Sequence, residues 1–180
     1  MEDLEIKIIT KRLELQVIDE NQMPFEYFNA LNDPFVIQYT EARHKRWSKE
    51  DAIRYLTENK DNGNSLIFST RIRENSKIIG NVRIFNFSKL HSRCELSFLF
   101  FDKSEWGKGY ATESVKAICD FCFYKMNFHR VHADYYAKNE PSSRVFQKLD
   151  FEIEGVYKDH FFFEGQFIDS IRVGLLKGCR

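Results

Sequence analysis

Two hydrophobic periods alternate along the first third of the chain. Arg12 to Val17 alternates apolar and polar residues, which is typical of a half-buried β-strand. Asn21 to Asn32 has apolar residues at helical spacing, and a second short helical piece is predicted at 35–39, after a proline break. A further helix is predicted from Ser48, a typical N-cap residue, to about Lys60.

The period then changes to that of β-strands. Ser65 to Ile72 and Lys77 to Phe87 are rich in β-forming residues and are joined by a polar turn, which predicts a hairpin. A central strand is predicted from Cys94 to Phe101. These three neighbouring strands are expected to be antiparallel and to lead into a loop and a helix.

The last third of the chain begins with the strongest helical pattern, Gly109 to Met126, whose apolar stripe suits a helix lying on a sheet. A strand at 129–136, a helix with Pro141 at its first position and ending near Leu149, and a hairpin of 151–163 and 166–176 are predicted after it. The pattern predicts an α/β (mixed α+β) fold in which a mostly antiparallel sheet is flanked by helices.

Length and composition indicate a single domain spanning 1–180, because 180 residues suffice for one core and no repeat or linker interrupts them. Lysine and arginine together number 27, equal to aspartate and glutamate, so no net charge favours nucleic acid or anionic membranes. No apolar run is long enough to span a bilayer, and Met1 to Thr10 lacks a secretion signal. We therefore expect a cytoplasmic protein without a membrane partner.

The cysteines and histidines do not have metal-ligand spacing. Cys119-x-x-Cys122 lies within a helical apolar stripe and has no second ligand pair, so core packing is favoured over zinc or redox chemistry. In a cytosolic chain Cys94 and Cys179 are also expected to stay reduced. The histidines, including His132, are interpreted as surface or hydrogen-bonded residues, with a general base as the alternative for His132, and no metal is expected.

The segment from Phe98 to Lys116 carries the first chemical signal. An apolar strand meets a short loop with two glycines, Gly107 and Gly109, and then a helix begins. Such a loop directs backbone N–H groups and the positive end of the helix dipole at one point, which favours an anion, most naturally a phosphate. A dinucleotide fingerprint is excluded because Thr112 stands where its third glycine would be.

This loop resembles the acyl-CoA loop of the GNAT superfamily of N-acetyltransferases, R/Q-x-x-G-x-G/A, with Trp106 at its start in place of Arg or Gln. The sequence from Asn139 to Phe151 resembles a second GNAT pattern, N-x-x-S/A-x-x-x-Y-x-x-x-G-F. Both segments are similar to the branch that includes the ribosomal-protein alanine and serine N-acetyltransferases. The resemblance implies a GNAT domain with a twisted sheet and a splayed acyl-CoA cleft, in which 1–64 form the acceptor side and 65–180 the CoA-binding core.

The resemblance also implies which residues bind acetyl-CoA. The loop amides would take the pyrophosphate, the strand would pair with the pantetheine arm, and Asn139 and Arg144 would contact the pantetheine amide and a phosphate. In the strand, Leu99 and Phe101 match the positions whose backbone N–H polarises the thioester. The full set of cofactor-binding residues is Leu99, Phe100, Phe101, Trp106, Gly107, Lys108, Gly109, Tyr110, Ala111, Thr112, Asn139, Ser142 and Arg144.

Two residues are predicted to be catalytic. Glu95 matches the glutamate that several GNAT enzymes use as general base, although a strand glutamate paired with Arg83 or Arg93 is an open alternative. Ser142 matches a serine near the CoA sulfur and is the candidate general acid, or else a first-turn serine that satisfies helix N–H groups. Phe146 replaces the tyrosine that many members use to protonate the thiolate, and it has no proton to give.

The predicted function is acetyl transfer from acetyl-CoA to a primary amine, either a protein N-terminus or a small amine such as an amino sugar or polyamine. A catalytically silent acyl-CoA-binding regulatory module is the alternative. The basic stretch His44 to Trp47 suits an acidic or phosphorylated acceptor; RNA is a weaker alternative for it, and no nucleic acid partner is expected. The acceptor and the oligomeric state stay open, a homodimer being one alternative.

Overall fold

The computed structural model describes residues 6–18, 22–61 and 63–178. In this part of the chain the strands are β1 (Lys7–Ile9), β2 (Leu13–Val17), β3 (Ser65–Ile72), β4 (Ile78–Ser88), β5 (Arg93–Phe100), β6 (Arg130–Tyr136), β7 (Glu152–Phe163) and β8 (Gln166–Leu176). The α-helices are α1 (Phe25–Ala30), α2 (Pro34–Ile37), α3 (Lys49–Asp61), α4 (Tyr110–Tyr124) and α5 (Glu140–Lys148). Short 3-10 helices occupy Glu41–His44 and Lys103–Glu105.

The strands form one sheet of eight in the order β1-β2-β3-β4-β5-β6-β8-β7. Neighbouring strands are antiparallel except β5 and β6, which are parallel. That pair extends over three positions, and Glu95 opposite His132 is the last of them. The two strands therefore separate in the middle of the sheet, beyond Glu95.

The sheet has a hydrophobic core on each face. On one face α4 and α5 bury Val115, Ile118 and Phe146 against the central strands. On the other face α1 to α3 bury residues such as Tyr27 and Leu56. Strand alternation explains the division, because odd and even positions of β5 point to opposite faces. The mixed α/β fold predicted from the hydrophobic periods is confirmed.

Several element boundaries differ from the prediction. Helix α1 spans six residues, because Pro24 precedes it in an extended conformation (φ −70°, ψ 156°) and disfavours helix before it. Asn21, where that helix was predicted to start, lies outside the described residues. Strand β1 was not predicted, and α5 begins at Glu140, so Pro141 is its second residue. Among the described residues, no helix is both long enough and apolar enough to cross a bilayer.

Asp150 stands where the pattern that Asn139 to Phe151 resembles has a glycine, and this difference is accommodated locally. Asp150 has φ 60°, the left-handed conformation that glycine adopts most easily and that aspartate tolerates better than most residues. The Phe151 N–H donates to the Phe146 carbonyl at 3.1 Å and closes the turn after α5. The fold is kept without glycine here.

Candidate active site

The glycine loop before α4 presents a row of backbone donors. Gly107 and Gly109 have φ 77° and 82°, in the left-handed region that favours glycine. Glu113 is the first residue whose N–H bonds within the helix, to the Gly109 carbonyl at 3.1 Å. Among the described residues, none of the backbone N–H groups from Gly107 to Thr112 has an acceptor. These free donors lie at the positive end of a 15-residue helix, which is an arrangement that binds phosphate.

An arginine distant in sequence holds this loop in place. Arg12 donates from Nη1 to the Lys108 carbonyl at 2.9 Å and from Nε to Glu113 Oε2 at 2.6 Å. Its guanidinium also lies over the Tyr110 ring, 4.5 Å from the centroid. Burial alone would raise the pKa of Glu113, but hydrogen bonds from Thr10 and Arg12 outweigh it and hold that pKa below its ordinary value. The loop is thus held by a charged network from the turn between β1 and β2, which the sequence analysis missed.

The gap between β5 and β6 exposes main-chain groups in the middle of the sheet. Beyond Glu95, β5 bonds only with β4 among the described strands. The Phe101 N–H donates to the Ile79 carbonyl at 3.0 Å, on the β4 side. Because N–H directions alternate along a strand, the N–H groups of Phe98 and Phe100 face the gap. The N–H groups of Leu99 and Phe101 thus both point toward β4, so the prediction that they polarise a thioester is wrong. The Phe98 and Phe100 N–H groups are the ones that remain available at the gap.

A cavity of about 980 Å³ opens from this gap. Of the predicted cofactor-binding residues, those that line it are Leu99, Phe100, Trp106, Gly107, Gly109, Tyr110, Ala111, Thr112, Asn139, Ser142 and Arg144. Phe101 is buried against Tyr27 instead, and the Lys108 ammonium pairs with Glu105 at 2.8 Å. The cavity thus brings together two segments of the chain, 99–112 and 139–144, whose nearest ends are 27 positions apart.

The start of α5 supplies polar groups to the same cavity. Asn139 is the N-cap, and its Oδ1 accepts from the Ser142 N–H at 3.2 Å. The Ser142 hydroxyl has no hydrogen-bond partner among the described residues, so its side chain is not the helix cap. Arg144 forms an exposed ion pair with Glu140 at 3.0 Å.

A tyrosine that the sequence analysis overlooked lies beside Phe146. Tyr135 on β6 stacks on Phe146 with ring centroids 5.6 Å apart and an interplanar angle of 25°. Tyr135 lines the cavity, and its hydroxyl is 3.3 Å from Ser143 Oγ. The Tyr135 phenol on β6 thus lies next to Phe146, the position at which the resembled pattern has a tyrosine. Only the strand register, which places Tyr135 on the α5 face of the sheet, would have indicated it.

Glu95 lies outside the residues that line the cavity, at the point where β5 and β6 separate. It accepts from Asn86 Nδ2 at 3.1 Å, and its Oε2 lies 3.8 Å from His132 Nε2. The alternative pairing with Arg83 or Arg93 is therefore not observed. His132 is 4% exposed and its Nδ1 has no partner in the described part of the chain, so the interpretation of a surface or hydrogen-bonded histidine is wrong.

His132 is held neutral by its surroundings. Burial first, and then the nearby arginines Arg172, Arg130 and Arg93, lower the pKa of His132 to about 4. At neutral pH its contact with Glu95 is therefore not an ion pair between full charges.

The end of the cavity that is lined by the Glu41–His44 turn is rich in aromatic rings. Tyr136 donates its hydroxyl to Glu41, and burial together with that carboxylate raises the pKa of Tyr136 to about 12. The cavity is also lined by Asp134, whose carboxylate forms a two-pronged pair with Arg172 at 2.8 and 2.7 Å. Each carboxylate that lines the cavity already contacts a partner.

The cysteines lie in the core. Cys94, Cys119 and Cys122 are fully buried, with Cys94 Sγ and Cys122 Sγ 3.7 Å apart, while Cys179 lies outside the described residues. In the described part of the chain, no group of three or more His, Cys, Asp or Glu side chains is arranged to hold a metal ion.

Comparison with known proteins agrees with this geometry. The family model described as an acetyltransferase (GNAT) domain matches residues 12–152. The uncharacterized N-acetyltransferase YnaD of Bacillus subtilis is 30% identical over 153 residues, which cover 84% of this chain and 85% of that protein.

Two solved structures have the same fold. A ribosomal-protein-S5-alanine acetyltransferase from Vibrio fischeri superposes with a TM-score of 0.81 at 21% identity, covering 97% of this chain and 98% of that one. The spermidine N-acetyltransferase from Vibrio cholerae in complex with CoA and spermine gives 0.81 at 18% identity, with 93% and 96% covered. With the family model matching most of its length, the chain belongs to the GNAT acetyltransferase family.

Proposed function

We propose that the protein transfers an acetyl group from acetyl-CoA to a primary amine. The observation that carries the proposal is the set of unpaired N–H groups from Gly107 to Thr112 beside the gap between β5 and β6. The loop suits a diphosphate, and the gap suits an extended amide-containing arm, since an added strand satisfies open main-chain groups. Acetyl-CoA has both parts and, when bound, supplies a thioester that an amine can attack.

The residues around the gap have separate tasks in this proposal. The Phe100 N–H donates a hydrogen bond to the thioester carbonyl oxygen as negative charge develops there. Ser142 holds a proton for the departing sulfur, and water is the alternative donor. Tyr135 is a second candidate donor, because it lines the cavity and stacks on Phe146. The cavity walls position the amine and keep water from competing.

Two carboxylates are candidates for removing the proton of the amine. Glu95 does not line the cavity, so its proposed role as general base requires a water molecule as relay. Glu41 does line the cavity and already accepts a hydrogen bond from Tyr136. If Glu95 is the base, Glu95→Gln removes the acid limb of the pH–rate profile and lowers kcat about a hundredfold above it. An unchanged profile, with the limb lost instead in Glu41→Gln, would assign the role to Glu41.

The protein N-terminus and small amines are both retained as acceptors. Relatives of the same fold carry names of ribosomal-protein and polyamine acetyltransferases, so the family alone does not decide.

The direct test follows release of the CoA thiol with purified protein, acetyl-CoA and a panel of peptides, amino acids, amino sugars and polyamines. Acceptor-dependent thiol release supports the proposal. Binding of acetyl-CoA with no release for any acceptor would favour a silent acyl-CoA-binding module.

A further inference from the structure

The cavity contains an arginine whose charge is unpaired. Arg83 on β4 lines the cavity, yet in the described part of the chain no carboxylate lies within ion-pair distance of it. Its Nε donates to Ser65 Oγ at 3.1 Å and its Nη1 to the Tyr55 hydroxyl at 3.1 Å. Both partners are neutral. A guanidinium carries five N–H donors, so both on Nη2 are still available.

The nearest candidate partner on the same face is engaged elsewhere. Arg83 pairs with Ser97 in the sheet register, and Glu95, which pairs with Phe85, is two residues further along. Cross-strand diagonal neighbours are close enough for long side chains to meet. The Glu95 carboxylate turns instead to Asn86 and His132, and the Arg83 guanidinium lies over the Phe85 ring at 4.3 Å. The fold therefore separates these two charges.

Arg83 lies close to the gap between β5 and β6, where the acetyl transfer is proposed to take place. Ser97, opposite Arg83, is two residues before Leu99, which is about 7 Å along the strand. Both residues line the cavity on the face opposite α4. An acid group held by Arg83 would thus lie within the span of a small molecule whose amine is at the gap.

The surroundings of Arg83 describe the rest of the ligand. Tyr55 and Trp47 meet edge to face, with ring centroids 5.8 Å apart, and line the cavity beside Arg83 together with Leu56 and Ile67. An apolar or aromatic body fits such walls. A polyamine fits them poorly, because it would place a second cation near an uncompensated guanidinium.

From these observations we infer that the acceptor bears a carboxylate or phosphate next to its primary amine, and that Arg83 binds this acid group. The inference rests on the proposed acetyl transfer and names the substrate class. The same chemistry occurs in a free amino acid with an apolar side chain and in a peptide whose second residue is acidic.

The test compares acceptors that differ only in the acid group. For the amino acid source the pair is L-phenylalanine and L-phenylalaninamide, and for the peptide source Ala-Glu amide and Ala-Gln amide, with spermidine as a third acceptor. We expect the acid member of at least one pair to have the higher kcat/KM, and spermidine to be the poorest acceptor. Arg83→Gln should reduce the acid-to-amide ratio at least about tenfold, since a charge-assisted bond is lost. Comparing ratios between variants cancels the different intrinsic reactivities of the amines.

Arg71→Gln is the matched control, because it removes an arginine from the adjacent strand β3 that bonds to the Ser76 carbonyl away from the cavity. It should leave the ratio unchanged. A ratio unaffected by Arg83→Gln, or spermidine as the best acceptor, would overturn the inference while leaving acetyl transfer in place.

A binding measurement decides the matter if no acceptor is turned over or if Arg83→Gln does not fold. Calorimetry with the wild-type protein and CoA compares 3-phenylpropionate with 3-phenylpropionamide, which carry no amine. Tighter binding of the acid supports the inference, even where absent turnover refutes the proposed transfer. Equal or absent binding of the two compounds overturns it.

Discussion

The two halves of the cavity are built differently. On the side proposed to bind the cosubstrate, the loop from Trp106 to Thr112 is held by Arg12, which also pairs with Glu113. The free donors of this loop belong to the main chain. On the acceptor side, the Glu41–His44 turn contributes side chains, of which Glu41 and His44 are largely exposed. A main-chain site tolerates many side-chain changes, whereas a side-chain site changes its ligand with one substitution. Under the proposed function, the cosubstrate is thus recognised mainly by the backbone and the acceptor by a few side chains.

The largest effect is expected from breaking the cosubstrate half. Gly109→Asp places a carboxylate where a diphosphate would bind and forces a non-glycine residue to φ 82°. We expect at least about a hundredfold weaker CoA binding, measured by calorimetry. Gly165→Asp is the control, since Gly165 has φ 80° in the β7–β8 turn with no atom within 4 Å of an added Cβ. An equal loss of CoA affinity in both variants would show that backbone strain alone causes the effect.

The second-largest effect is the pH dependence of stability that arises from His132, which lies where β5 and β6 separate. His132 has a folded pKa of about 4, below the ordinary 6.5, because it is buried and surrounded by arginines. As the pH falls, the unfolded chain therefore takes up the proton first. The stability that neutral His132 contributes is present above pH 6.5 and is lost between pH 6.5 and 4, by about 2.5 kcal/mol at pH 4.5.

Urea unfolding at pH 7.5 and 4.5 measures this loss. His132→Gln should lose about 2.5 kcal/mol less than the wild type between the two pH values, because no imidazole remains to be protonated. The exposed His129 offers the control His129→Gln, whose pH dependence should match that of the wild type. An unchanged pH dependence in His132→Gln would refute the assignment.

The smallest effect is expected from substitution of Ser142 or Tyr135, the two candidate proton donors to the departing sulfur. Ser142→Ala should lower kcat about tenfold with little change in KM, because water replaces the hydroxyl only in part. If Tyr135 is the donor instead, Tyr135→Phe lowers kcat by a similar factor and Tyr135→Phe/Phe146→Tyr restores it. That double variant moves the phenol to the ring on which Tyr135 stacks. Steady-state thiol release measures all three, and full activity in each would leave water as the donor.

Local patterns were sufficient to predict the order of the α-helices and strands from β2 onward and the glycine loop, because both depend on neighbouring residues. They did not reveal Arg12, since it reaches the loop from the β1–β2 turn, about a hundred positions earlier in the chain. Tyr135 and the burial of His132 depend on the register of β6 against its neighbours. Leu99 and Phe101 were misassigned as donors because the direction of an N–H group depends on pairing with β4, which the alternation of side chains does not determine.

The early end of the β5–β6 pairing has a consequence for the protein before it meets its cosubstrate. The edge strands of the sheet are β1 and β7. In addition, β5 has an inner edge beyond Glu95, where main-chain groups do not pair with β6. An exposed strand edge can pair with a strand of another chain, which leads to aggregation. A ligand that fills the cleft covers this inner edge of β5. Saturating CoA should therefore reduce aggregation of the protein on gentle heating.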